Sequence, residues 1–281
     1  MRITYSTFKY FCPSSAQPSE KLVERIEAYI VKSNQKLREA IGAELHESLD
    51  ALTFDPSNIP DDMQAMLLAA VTAFVCLDAY YEAIPSLDLV LTATGFGVVS
   101  NQNTAPASAD RVRNLRERIA ADRDDAFDYM LGLLRGYAPW CEGEQAQALF
   151  SSLFWRGADM VEFPDMKQPH RSDLLAARSK IEAGEIELAR IISPELLEAL
   201  CADIRTNTGS MRRSVFVAQC RRFVARAADS LDTTQQRLNL IAYLDRYLEC
   251  FPEYEASSAY KANHFTPYEN KLHDSCYFFG K

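Results

Sequence analysis

Ile41-Gly42-Ala43-Glu44-Leu45-His46-Glu47-Ser48-Leu49 returns 151 residues later as Ile192-Ser193-Pro194-Glu195-Leu196-Leu197-Glu198-Ala199-Leu200. The shared kernel, Ile-x-x-Glu-Leu-x-Glu-x-Leu, lies inside a longer agreement. Positions 23–51 set against 174–202 give eight identities in twenty-nine ungapped pairs. Besides the kernel they include Ile30 with Ile181, Leu37 with Leu188 and Ala51 with Ala202. Two amphipathic helices share leucines whenever the offset is free, so chance agreement stays open on identities alone. The order of elements argues for a repeat. In both halves a long helix with a Gly or Pro break precedes an apolar helix and then a charged one.

The helices follow from periodicity. Residues 1–19 read as extended, with Tyr5, Phe8, Tyr10 and Phe11 interleaved with polar residues before Pro13 and Pro18. Ser19 is a plausible N-cap for a helix with Glu20 in its first turn. Leu22, Ile26, Ile30, Leu37, Ile41, Leu45 and Leu49 then make one apolar stripe, interrupted at Gly42. A second helix follows Pro60, with Asp61 and Asp62 complementing its N-terminal dipole. It is apolar nearly all round from Met66 to Tyr81, which places it at the centre, and Pro85 ends it. A third helix, Ala109 to Tyr137, is capped by Ser108. Residues 138–143 read as a turn and 144–159 as a further helix. Two more helices are expected over about Met211–Ser230 and Thr233–Cys250. The tail, 251–281, has no helical period but is rich in Tyr and Phe.

One stretch breaks the helical text. Leu87 to Val99 is rich in β-branched residues and carries Gly95-Phe96-Gly97, which suits a short hairpin whose turn uses glycine. The second half has no counterpart to it. The fold reading is therefore mainly α: two similar antiparallel helical halves with one β-hairpin inserted in the first. The divisions are 1–140, a connection at 141–169, 170–250 and the tail.

Composition bounds function. The chain has 281 residues, 48% hydrophobic and 25% charged, as in an ordinary globular protein. A net charge of −9 argues against a nucleic-acid surface as the dominant feature. No run of the sequence reads as a membrane span, and Met1-Arg2-Ile3-Thr4-Tyr5 lacks a signal-peptide core, so a cytoplasmic location is expected. The seven cysteines are widely spaced, with no C-x-x-C pair. Buried reduced thiols are expected at Cys76, Cys201 and Cys220 rather than a disulfide framework or zinc site.

The chemistry-bearing patterns are few. Gly95-Phe96-Gly97 lacks the third glycine of a dinucleotide loop, Ser100 standing in its place, and no βαβ alternation surrounds it. No cofactor is therefore expected. Glu269 and His273, and Asp124 and Asp128, stand four apart but face no second ligand pair, so they read as surface polar residues and no metal is expected. His46 reads as a helix-surface histidine. Arg212, Arg213, Arg221, Arg222 and Arg226 form the one basic cluster, either a phosphate-facing strip or a salt-bridged face in an acidic protein. No segment announces a catalytic nucleophile.

The stretch Ala83-Ile84-Pro85-Ser86-Leu87 through Thr94-Gly95-Phe96-Gly97-Val98-Val99-Ser100-Asn101, continuing to Ala105-Pro106-Ala107-Ser108-Ala109-Asp110-Arg111-Val112, resembles an uncharacterised family of Bacteroides-type bacteria and their prophages. Its members are commonly labelled virion structural proteins. The closing Tyr268-Glu269-Asn270-Lys271 and Cys276-Tyr277-Phe278-Phe279 resemble that family's end, although Cys276 and the extension Gly280-Lys281 depart from it. The resemblance implies a phage head–tail connector or head-completion protein, a non-enzymatic subunit that forms homo-oligomeric rings and contacts a portal and neighbouring connector subunits. It carries no catalytic residues. On that reading Gly95, Phe96, Gly97, Val98 and Val99 form a contact element, with Phe96 as its anchor. Two rivals stand beside it: an enzyme or small-ligand protein with a cleft between the halves, and a regulatory protein contacting nucleic acid through the Arg212–Arg226 helix.

Overall fold

The computed structural model describes residues 2–12, 20–57, 62–87, 89–92, 95–98 and 108–265, with the backbone alone described at Glu20 and in the strands. The N-terminal half comprises α1 (Tyr5–Phe11), α2 (Glu20–Ile41), α3 (Ala43–Asp50), α4 (Met63–Leu87), β1 (Leu89–Thr92), β2 (Gly95–Val98) and α5 (Ala109–Leu134). Short α6 (Ala138–Cys141) and α7 (Glu144–Leu149) and a 3-10 turn, Gly157–Glu162, lead to the second half. That half holds α8 (Arg171–Ile192), α9 (Pro194–Thr206), α10 (Met211–Ala228) and α11 (Thr234–Arg246), then a 3-10 turn at Leu248–Cys250, α12 (Pro252–Glu255) and α13 (Ser258–Asn263). The protein is mainly α.

Each half is organised around one buried helix. In the first, α4 packs against α2 on one side and α5 on the other; in the second, α10 packs against α8 and α11. Val71, Val75, Cys76 and Ala79 of α4 are fully buried, as are Phe216, Cys220, Val224 and Ala225 of α10. By length and composition α4 would suffice to cross a membrane, with a mean hydropathy of 1.6 over its most apolar window. This corrects the sequence reading that no run is so apolar. The neighbouring helices cover two thirds of that window, 67%, so its apolar surface is core.

The two long helices that open the halves break alike. α2 and α8 are each 22 residues long. Gly42, after α2, has φ 88° and ψ 155°; Ser193, after α8, has φ 87° and ψ 149°. The new helix starts at once on the far side. The apolar identities flank these kinks from within the core, Leu37 and Leu188, Ile41 and Ile192, and Leu49 and Leu200 all being buried.

Several sequence expectations change. The N-terminal segment is not extended throughout, because Tyr5–Phe11 is helical, with the Thr4 hydroxyl accepting from Thr7 N–H. Seven residues are too few to show a period of 3.6, and what holds them is tertiary packing: buried Phe8 meets the edge of Tyr80 at 5.5 Å. Pro85 does not end α4, which continues to Leu87. Arg25 of α2 donates to the Leu87 carbonyl and the Tyr29 hydroxyl bonds Ser86, so α2 pins this last turn. The helix expected over 144–159 stops at Leu149, giving way to an irregular stretch and the 3-10 turn. The tail begins with two short helices, α12 and α13; the rest of it, 266–281, lies outside the described residues.

β1 and β2 pair antiparallel, Leu89 opposite Val98 and Leu91 opposite Phe96. They sit where the antiparallel pair α4–α5 turns back. Among the described residues neither strand is packed extensively by any helix.

Candidate functional site

The interior places charge where the elements join. Asp78 of α4, 2% exposed, accepts from the Ser33 hydroxyl at 2.6 Å and from Lys36 Nζ at 2.9 Å, both on α2, with Arg123 of α5 at 3.8 Å. The next residue of α5, buried Asp124, accepts from the backbone N–H of Ser172, in the first turn of α8, at 2.8 Å. Asp128, one turn on, takes the N–H of Gly157 at 2.6 Å and Arg171 at 2.8 Å. Burial pushes the Asp128 carboxyl up, and Arg171 opposes that. Asp159 of the 3-10 turn bonds Arg156 at 3.1 Å and Arg221 of α10 at 2.8 Å. Glu185 of α8 accepts from the Ser152 hydroxyl and the Leu153 N–H, each at 2.8 Å, and burial raises its carboxyl.

These five carboxylates stitch α2, α4, α5, the 3-10 turn, α8 and α10 together. The Asp124 and Asp128 pair, expected on the surface, is instead the seam between the halves. Spacing of four on one face of α5 brings both to the start of α8, where Asp124 accepts a first-turn N–H that lacks a helical partner and Asp128 accepts the Arg171 guanidinium. Removing one partner of a buried ion pair such as Asp128–Arg171 typically costs ~3–5 kcal/mol, because the other charge is stranded.

The basic cluster on α10 does not form one face. Arg212 pairs with Glu249 at 2.7 Å and lies over Tyr247. Arg213 bonds Asp203 at 2.5 Å and Glu253 at 3.2 Å. Arg222 reaches Glu162 at 3.1 Å, and Arg226 donates to the Asp232 carbonyl at 3.0 Å. Arg221 turns inward, 15% exposed, and donates to the Leu153 carbonyl as well as to Asp159. Of the five, Arg213 and Arg221 are brought together, eight residues apart on α10. They line a cavity of about 160 Å³ between the halves, with Arg135 from the end of α5 and Arg156 from before the 3-10 turn. Sequence reasoning missed Arg135 and Arg156, which lie 78 and 65 residues before Arg213 and Arg221 respectively. The aromatic between them, Trp155, carries no local signal of a shared pocket either.

The proposed contact residues Gly95, Phe96, Gly97 and Val98 form β2, whose side chains lie outside the described residues, as does Val99 altogether. His46 is half-buried, and among the described residues its hidden Nε2 has no hydrogen-bond partner. Cys76, Cys201 and Cys220 are buried free thiols. Burial pushes the Cys201 thiol up to about 12 and Cys76 and Cys220 well above their ordinary value. Among the described residues no three His, Cys, Asp or Glu side chains converge as a metal site would require.

No curated protein and no solved structure matches the chain. Residues 37–147, less than half of the chain, match a family described as "Family of unknown function (DUF6712)". The matched segment runs from the last turn of α2 into α7, taking in the Gly42 kink, α4, the strand pair and α5.

Proposed function

We propose that the protein is a non-enzymatic assembly component of the head–tail connector type, working through contacts between copies of itself and with a portal-like neighbour. The observation that carries this reading is the strand pair β1–β2. It stands at the turn of α4 and α5, two antiparallel helices each roughly 38 Å long at 1.5 Å per residue, and no helix packs extensively on it among the described residues. The stem beneath is held by the Asp78 cluster. A short strand pair is marginal alone in water, and a partner that covers it stabilises it. Phe96 is the anchor in this reading, since a few buried aromatics carry most of a contact's energy.

The test replaces residues 89–98 with a Gly-Ser linker of equal length and, separately, makes Phe96→Ala. Helical circular dichroism and melting should stay unchanged while co-purification with the co-expressed portal protein is lost. Phe96→Ala should weaken the association about thirtyfold, the equivalent of ~2 kcal/mol. An unaltered complex in the linker variant would overturn the reading.

We also infer that the two halves are copies of one helical unit. Equal lengths of α2 and α8, nearly identical dihedrals at Gly42 and Ser193, and buried identities at equivalent positions support this. The strand pair would then be an addition to one copy, a usual place for specialised contact.

A further inference from the structure

The cavity between the halves has an unusual charge balance. Arg135, Arg156, Arg213 and Arg221 all line it, against a single lining carboxylate, Asp203. Asp159 neutralises part of Arg156 and Arg221 from behind, and Glu253 bonds Arg213. Arg135 has no carboxylate partner among the described residues. Its guanidinium donates to the Ile204 carbonyl and, at 3.1 Å, to the Asn207 side-chain oxygen, both neutral acceptors. Burial and the neighbouring Arg156 push this half-buried guanidinium down, and Asp159 opposes them from a distance without pairing with it. Arg135 and Arg156 both lie over the Trp155 ring, at 4.9 and 5.1 Å from its centroid. Gly209 and Ser214 line the cavity beside the start of α10, where the Arg213 N–H is already taken by the Ser210 hydroxyl.

We infer that this cavity binds a phosphate-type oxyanion, held by Arg135 and Arg156 with Arg213 and Arg221 in the same lining. A planar guanidinium donates two parallel bonds to such an ion, and Arg135 and Arg156 line the same cavity. The volume, about 160 Å³, is ample for a five-atom ion, since a cavity of roughly 150 Å³ admits benzene. The bound ion would tie α5 to α9 and α10, adding a lock between the halves. The inference does not depend on the assembly role.

The test is calorimetric titration and thermal melting of the full chain with inorganic phosphate and with glycerol 3-phosphate, at constant ionic strength set with sodium chloride. Phosphate should give a saturable calorimetric isotherm, and at a hundredfold excess over its dissociation constant should raise the melting midpoint by about 5 °C. Arg135→Gln should abolish the response. Because Arg135 also holds α9, Arg156→Gln is the second variant; its side chain is half exposed and Arg221 still pairs with Asp159, so it should fold and weaken binding about tenfold. Tighter binding of glycerol 3-phosphate than of phosphate would identify a phosphoryl ester as ligand, and the reverse a free ion. No saturable response to either ligand, or one that survives unchanged in both variants, would overturn the inference.

Discussion

The matched kinks allow a sharp test, because one is a glycine and the other is not. A φ near +87° with ψ near 150° is a region that side chains rarely enter, at a cost of ~1–3 kcal/mol. At Gly42 a Cβ would have room, its nearest neighbour being the flexible Gln145 side chain at 3.6 Å. The penalty for Gly42→Ala is therefore conformational. Offset by about 0.5–1 kcal/mol from the stiffer unfolded chain, it should be about 1–2 kcal/mol. In a chain of this size that lowers the melting midpoint by about 2–8 °C. Ser193 already carries the strain, and its hydroxyl accepts from the Leu196 N–H at 3.1 Å, capping α9. Ser193→Ala loses the cap and keeps the strain, costing about 1 kcal/mol. Ser193→Gly loses the cap too, but glycine caps nearly as well and relieves the backbone, so it should melt at or above the parent. Scanning calorimetry of the three variants gives the order. Ser193→Gly melting below Ser193→Ala would refute the argument, since it would mean the serine sits there without strain.

Further outcomes follow from the seam. Gly157→Ala puts a Cβ 2.6 Å from Arg171 N and 2.7 Å from His170 Cα, backbone that cannot yield, and should destabilise by about 3 kcal/mol or more in chemical unfolding; a change under 1 kcal/mol would show that this close approach is absent. Glu185→Gln keeps an oxygen to accept from Ser152 and Leu153 while removing a buried charge. Because burial raises the folded carboxyl above its unfolded value, the native state binds the proton more tightly, and parental stability falls as pH rises from the unfolded carboxyl range through the folded one. The variant should therefore melt higher at pH 7 and lose that advantage near pH 4; an advantage independent of pH would contradict this. Alkylation followed by peptide mass spectrometry should modify Cys250 in the native protein while Cys12, Cys76, Cys201 and Cys220 react only after unfolding. Native labelling of Cys201 as fast as Cys250 would speak against the packed second half.

What was legible in the sequence was what repeats with a period. The stripe Ile26–Ile30–Leu37–Ile41 is buried, and the apolar helix from Met66 to Tyr81 is the centre of the first half. Composition also located the interruption between α4 and α5. Elements shorter than two turns were not legible: α1 shows no period, and 150–162 owes its irregular path to Gly157 lying against the chain at His170. Charge was the hardest to read. Asp124 and Asp128 look like surface residues because their partners, Ser172, Gly157 and Arg171, are distant in sequence. The five arginines of α10 look equivalent in a linear text, whereas the turn of the helix sends Arg221 inward and leaves Arg212 and Arg222 exposed, paired with Glu249 and Glu162.

The most direct test of the assembly reading is the native mass of the intact protein, alone and mixed with the portal protein of the same genome. The account predicts a discrete complex of defined stoichiometry with the portal, lost when residues 89–98 are replaced. A chain that stays monomeric at all concentrations and binds no portal would contradict it.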